Sequence, residues 1–188
     1  MHKDLISGEK IFILHDFLSP AECDEFIRQS EDEGFRDAPL STPSGAVMRS
    51  DIRNNTRVIV DDETLAARLF ERAKPFLRAQ WLGWDLLGFN ERFRFYRYEA
   101  GQTFHKHADG AFFRGDDEQS HFTFLIYLND DFQGGHTDFF GDMGDLLHSV
   151  NPVRGEALVF WHPQLHEGAT VFSGQKYVLR TDVMYRWE

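Results

Sequence analysis

The sequence predicts a mainly β fold of the α+β kind, a β sandwich or barrel with helices packed on its outside. Two observations carry this. From residue 91 onward, short runs rich in Phe, Tyr and Val alternate with Gly, Asp, Asn and Pro, the texture of short strands joined by turns. Before that point lie two stretches with helical periodicity and recognisable start signals. The chain has 188 residues, is 41% hydrophobic and contains 19 Phe. That is enough for one domain burying roughly 70% of its unfolded surface. The expected organisation is a single domain over 1–188, with a helical support region at 1–90 and the β core at 91–188.

The elements follow in order. Residues 9–15, in the run GEKIFILHDFLSPAE, read as a strand. Ser19-Pro20 then matches an N-cap with Pro at the first helical position, opening a helix to about residue 33. The segment 37–50 is rich in Ser, Pro, Gly and Ala and reads as an irregular connection. TRVIV at 56–60 is a short strand, and a second amphipathic helix is expected over about 63–79, with Leu65, Leu69 and Ala73 on one face. The expected core strands are 92–98, 121–128, 136–140, 156–161 and 176–187. No internal repeat or low-complexity linker interrupts them.

Charge and cysteine content narrow the function. The formal net charge is −11, so the surface repels phosphate backbones and nucleic acid is a poor default partner. The single Cys23 can form no internal disulfide and no cysteine-rich metal site, so any metal must be held by histidine and carboxylate. No apolar segment follows Met1-His2-Lys3-Asp4 as a leader would, and no run approaches the length of a membrane span. The expectation is a cytoplasmic protein with no membrane partner.

The chemistry concentrates in two places. In His107-Ala108-Asp109, an extended backbone would put residues 107 and 109 on one face, about 7 Å apart at the base. One His and one carboxylate are two-thirds of the facial arrangement of non-haem Fe(II) oxygenases, which leaves three coordination positions open. His105 shares that strand parity, and His136-Thr137-Asp138 repeats the pattern, so spacing does not choose among them. Near the C-terminus, His166 ends a candidate strand and Lys176 opens the last one ten residues later, a metal ligand beside a carboxylate clamp. On that last strand Lys176, Val178, Arg180, Asp182 and Met184 face one way, and Tyr177, Leu179, Thr181, Val183 and Tyr185 the other. Apolar residues fall on both sides, so one face carries buried charge, and buried Lys or Arg needs an anion. The plainer reading is a surface ion pair of Lys176 or Arg180 with Asp or Glu.

From about Tyr98 to Trp187 the chain resembles the prolyl 4-hydroxylase-like group of Fe(II)/2-oxoglutarate oxygenases. The resemblance rests on Tyr98-x-x-Gly101, Phe104 and His107-x-Asp109, then Tyr127-Leu128-Asn129-Asp130 and Gly134-Gly135-x-Thr137-x-Phe139. It continues through Pro152-x-x-Gly155-x-Ala157-x-x-Phe160, His166-x-Gly168, Val171 and Gly174-x-Lys176-Tyr177. It implies a double-stranded β-helix, or jelly roll, with N-terminal supporting helices. It makes His107, Asp109 and His166 the ligands of Fe(II) and leaves His136-x-Asp138 structural, with His136 a departure from the Glu more usual there. Lys176 takes the position that grips the far carboxylate of 2-oxoglutarate, and Tyr127 and Tyr98 those whose hydroxyls line that pocket. Arg180 points the same way as Lys176 and is expected to bind a second anion, on co-substrate or substrate, or to form an ion pair with Asp182 or Asp138. O2 and 2-oxoglutarate are the implied co-substrates, with ascorbate an additional reductant. Asp109, as a third protein ligand, leaves no vacancy for halide and favours hydroxylation. The primary substrate is not legible: a protein side chain such as proline and a small molecule both fit. The loop 110–120 (GAFFRGDDEQS) is a candidate lid, and 37–50 could close from the other side. The competing functions are a cupin-like Zn(II) or Mn(II) hydrolase or lyase, and a non-catalytic binding module.

Overall fold

The computed structural model describes every residue except 39, 43–44, 48, 50–51 and 188. A hairpin of β1 (His2–Ser7) and β2 (Ile11–His15) leads to α1 (Pro20–Glu33), β3 (Thr56–Asp61) and α2 (Glu63–Ala73). The chain continues with β4 (Trp84–Phe89), β5 (Arg92–Tyr98), β6 (Phe104–His107), β7 (Glu118–Tyr127), β8 (Thr137–Phe140) and β9 (Leu146–Val150). It closes with β10 (Ala157–Trp161), β11 (His166–Gly168), β12 (Val171–Ser173) and β13 (Lys176–Arg186). A large antiparallel sheet runs β1-β2-β10-β7-β13-β5-β3, and β4 adds to the far half of β13. A smaller sheet runs β6-β11-β8-β9. This is the double-stranded β-helix, with α1 and α2 covering the outer face of the large sheet.

Across its central strands both faces of the large sheet are buried, and side-chain alternation along each strand separates them. Phe93 and Phe95 of β5, Phe122, Phe124 and Ile126 of β7, and Leu179 and Val183 of β13 pack with Phe26 of α1 and Leu69 of α2. Tyr96 and Tyr98, Tyr127, Leu158 and Phe160 of β10, and Val178 face the small sheet, meeting Phe139 and Val150. That is why the apolar residues of β13 do not sort onto one side: one face meets helices, the other lines the space between the sheets.

Helix α1 begins as the sequence predicts. The Ser19 hydroxyl accepts from Glu22 N at 3.3 Å, and the Glu22 carboxylate accepts from Ser19 N at 2.9 Å, a complete capping box. Helix α2 starts on Asp62, whose side chain accepts from Leu65 N, but it ends at Ala73 rather than near 79. Pro75 lacks an N–H and cannot continue the helix, so Lys74–Phe76 tighten into a 3-10 turn. Among the described residues, 1–90 also supply six strands of the large sheet, counting the two-residue strands Arg36–Asp37 and Gln80–Trp81, and the sequence alone predicts neither β1 nor β4. Of the segment 37–50, the described part includes short paired strands at Leu40–Thr42 and Gly45–Val47. Any closure by that segment depends on residues outside those described. Among the described residues no helix is long and apolar enough to cross a membrane.

Candidate metal centre

The antiparallel pairing of β6 with β11 sets His107 directly opposite His166, and β8 flanks His166 on its other side. Strand β6 ends at His107, so Asp109 is placed by an anchor rather than by strand alternation: its backbone N–H donates to His162 O at 3.0 Å. The donor atoms of His107, Asp109 and His166 then lie within 4.8 Å of one another. The two Nε2 atoms each stand 3.7 Å from an Asp109 oxygen. His105 is exposed and contributes only its carbonyl. The Asp138 carboxylate accepts from Ser149, and neither it nor His136 joins a metal-binding cluster among the described residues.

Protonation states fit a divalent ion. His107 Nδ1–H donates to His105 O at 2.7 Å and His166 Nδ1–H to Gln164 O at 2.9 Å, leaving both Nε2 lone pairs free. Burial, with the neighbouring His166, pushes His107 down to about 3, and burial also lowers His166. Burial alone would raise Asp109, but the Arg180 guanidinium and the surrounding imidazoles hold it well below the usual carboxylate range. Two neutral imidazoles and one carboxylate are thus ready as donors, the set expected for non-haem Fe(II).

Asp109 is held from behind by Arg180, expected to bind an anion but not this one, and by Thr123 and His162, which the sequence alone does not single out. Arg180 Nη1 donates to one carboxylate oxygen at 2.8 Å, and the Thr123 hydroxyl to the other at 2.6 Å. Thr123 has one proton to give, so it accepts from His162 Nδ1–H at 3.1 Å. His162 Nε2 then accepts from Ser120 Oγ–H at 2.8 Å, and burial keeps that ring neutral, at about 4. Arg180 also reaches Asp182 at 3.4 Å, which Arg94 holds at 3.1 Å. Asp182 was one of the ion-pair partners expected for Arg180, and Asp138 is not among them. The parity of Thr123 was readable in the run HFTFLIYL; nothing in the sequence singled out His162.

The three donors line a cavity of about 440 Å³, mouth included, between the two sheets. Lys176 lies in its wall, 4% exposed. Its Nζ donates to Gly135 O at 2.6 Å and sits 5.5 Å from the ring centres of Tyr98 and Tyr127. No described carboxylate is within ion-pair distance of it. Burial pushes it down to about 7. Such a cation fits the distal carboxylate of a dicarboxylic ligand. Tyr98 lines the cavity, and burial raises its hydroxyl to about 12. Tyr127 stands behind, its hydroxyl bonded to Thr137 at 2.7 Å. The loop 110–120 is a hairpin pairing Phe113–Arg114 with Glu118 and Gln119, pinned by Arg114 to Glu91 and Glu118.

Residues 93–181 match the family model described as the 2OG-Fe(II) oxygenase superfamily. Prolyl 4-hydroxylase 1 of Arabidopsis thaliana is 28% identical over 196 residues, covering 89% of this chain and 66% of its own length, so the match spans about two-thirds of that relative. Among solved structures, a Pseudomonas putida prolyl-4-hydroxylase superposes with a TM-score of 0.70 at 21% identity, covering 94% of this chain and 93% of that one. A Trichoplax adhaerens prolyl hydroxylase, in complex with a hypoxia inducible factor oxygen degradation domain peptide fragment, gives 0.72 at 17% identity, covering 95% and 84%. The oxygenase model over residues 93–181, the prolyl 4-hydroxylase relatives and the shared jelly-roll fold together support a prolyl 4-hydroxylase-like dioxygenase that uses Fe(II) and 2-oxoglutarate.

Proposed function

We propose that this dioxygenase hydroxylates a prolyl side chain in a peptide, holding Fe(II) on His107, Asp109 and His166 and the distal carboxylate of 2-oxoglutarate on Lys176. The supporting observation is the pairing of the three-donor cluster with a buried Lys176 that lacks a carboxylate, in the walls of one cavity. The prolyl substrate is favoured by the relatives, which are named as prolyl hydroxylases, one of them seen with a peptide.

When bound, Fe(II) and 2-oxoglutarate supply the oxidising chemistry that places one oxygen of O2 on a C–H bond while the co-substrate leaves as succinate and CO2. The chain's own residues orient and exclude. Lys176 forms a charge-assisted bond that sets the depth of the co-substrate. Tyr98 stays protonated and offers a neutral donor. Thr123 and Arg180 keep both oxygens of Asp109 in place, and Leu125, Phe160 and Val178 keep the cavity dry.

Succinate release with Fe(II), 2-oxoglutarate and proline-containing peptides tests this, read with a product 16 mass units heavier. His107→Ala, Asp109→Ala and His166→Ala are each expected to abolish turnover, and His105→Ala and His136→Ala to preserve it. Peptide-independent succinate with no heavier peptide would remove the prolyl assignment. Iron binding retained in His107→Ala but lost in His136→Ala would overturn the ligand set.

A further inference from the structure

A second group of metal-binding side chains stands outside the cavity, on the β1–β2 hairpin at the outer edge of the large sheet. His2 and His15 are directly opposed across the two antiparallel strands, and Asp4 lies two residues along from His2, so all three project from one face. The imidazole rings stack with centres 4.2 Å apart and planes 15° apart. Donor atoms of the three lie within 4.8 Å of one another.

His15 carries a carboxylate on each nitrogen. Its Nδ1 meets Glu156 Oε1 at 2.5 Å, and its Nε2 meets Asp4 Oδ2 at 3.0 Å. The Glu156 side chain is 12% exposed, whereas that of Asp4 is 63% exposed. A buried carboxylate on Nδ1 fixes the proton there, the arrangement that orients metal-ligating histidines. Nε2 is then left with a lone pair aimed at another anion, which repels unless a positive centre lies between them. A second proton would serve, and so would a metal ion. Two ligands about 2.1 Å from one ion are about 3.0 Å apart at an octahedral angle and about 3.4 Å apart at a tetrahedral one, and the separation here is 3.0 Å. A proton would satisfy His15 and Asp4 but give His2 only a stacking role, whereas a metal uses all three donors.

We propose that His2, Asp4 and His15 form a second metal site, oriented by Glu156. The site takes a borderline divalent ion such as Zn(II), Ni(II) or Co(II), for which two imidazoles and a carboxylate are suitable donors, with water completing the shell. The ion ties the edge strand β1 to β2 and, through Glu156, to the approach to β10.

Zn(II) titration of the metal-free full chain, followed by calorimetry and metal analysis, tests this. Wild type is expected to take up two equivalents. His2→Phe, which keeps a stacking ring but removes the donor, and Asp4→Asn should each retain one. Both variants should form succinate with Fe(II) and 2-oxoglutarate as wild type does. Glu156→Gln should weaken the hairpin site by about 10- to 100-fold. In a His166→Ala background, where the cavity cluster is broken, Zn(II) should still raise the melting temperature, and adding His2→Phe should abolish that rise. One equivalent in wild type, or two in both His2→Phe and Asp4→Asn, would overturn the site and leave a His15 imidazolium bridging two carboxylates.

Discussion

Arg180 is mostly buried, its side chain 13% exposed, with Asp109 at 2.8 Å and Asp182 at 3.4 Å, and Arg94 closes the row from the other side. Cations and carboxylates alternate as Arg94, Asp182, Arg180, Asp109, so the row is neutral before any metal arrives. Removing one member of a buried pair costs about 3–5 kcal/mol, because the partner is left uncompensated. Arg180→Leu is therefore expected to lose about that much stability in the metal-free protein, and much less with Co(II) bound, since a divalent ion on Asp109 replaces the missing charge. Chemical denaturation with and without Co(II) measures both values. Equal losses in the two conditions would mean that Asp182, not Asp109, is the partner that matters. At this scale the sequence disclosed residue types but not partners. His107, Asp109, His166 and Lys176 stood out by spacing and resemblance. The partner of Arg180 lies 71 residues away, and no local pattern reports such a contact. Thr123 and His162 were hidden for the same reason, as a polar residue inside an apolar run and a histidine beside a more conspicuous one.

Elements were legible where the signal was local. The start of α1 is legible because its signal, an N-cap Ser19 followed by Pro20 at the first helical position, is written in two adjacent residues. Ser19→Ala should cost about 1 kcal/mol in thermal or chemical unfolding, the usual value for a lost N-cap. The same cap steadies an ion pair across the structure: the Arg72 guanidinium beside Glu22 holds that carboxyl down at about 2, and Arg72 also donates to Phe17 O. A loss well beyond 2 kcal/mol would show that the Glu22–Arg72 contact falls with the cap. The end of α2 was misjudged because amphipathic periodicity was followed through Pro75. Strand β4 escapes the sequence pattern because WDLLGF lacks clean alternation and is held by pairing with the end of β13 and with Gln80–Trp81. Strand β13 was located correctly, yet its faces could not be assigned. Alternation identifies a core side only when the opposite side meets water, and here both sides are covered.

At the scale of the whole molecule, the space between the two sheets holds a binding cavity where a sandwich would otherwise pack apolar side chains, and Lys176 occupies what would be a core position. In the proposed binding mode this couples co-substrate binding to global stability. In the unfolded chain Lys176 keeps its proton to about its ordinary value of 10.5, while in the folded, ligand-free protein burial pushes that value down to about 7. Between those limits the unfolded state binds more protons, so raising pH favours folding. Below pH 7 both states are protonated, and the penalty of burying an unpaired ammonium is fully present. Lys176→Met should therefore be more stable than wild type at pH 6.5, with the advantage shrinking as pH rises toward 10. In the proposed binding mode a carboxylate from 2-oxoglutarate pairs with the ammonium and restores its proton. Binding above pH 7 must then take up a proton, and wild-type affinity should fall by up to about tenfold per pH unit there. Urea denaturation of wild type and Lys176→Met across pH 6.5–9.5 gives the stability difference free of other titrating groups. Calorimetry of 2-oxoglutarate binding to the Co(II)-loaded protein, in buffers of different ionisation heat, counts the protons. Parallel stability profiles for the two proteins, with no proton uptake on binding, would show that Lys176 keeps its charge in the ligand-free fold and is not the group awaiting the co-substrate.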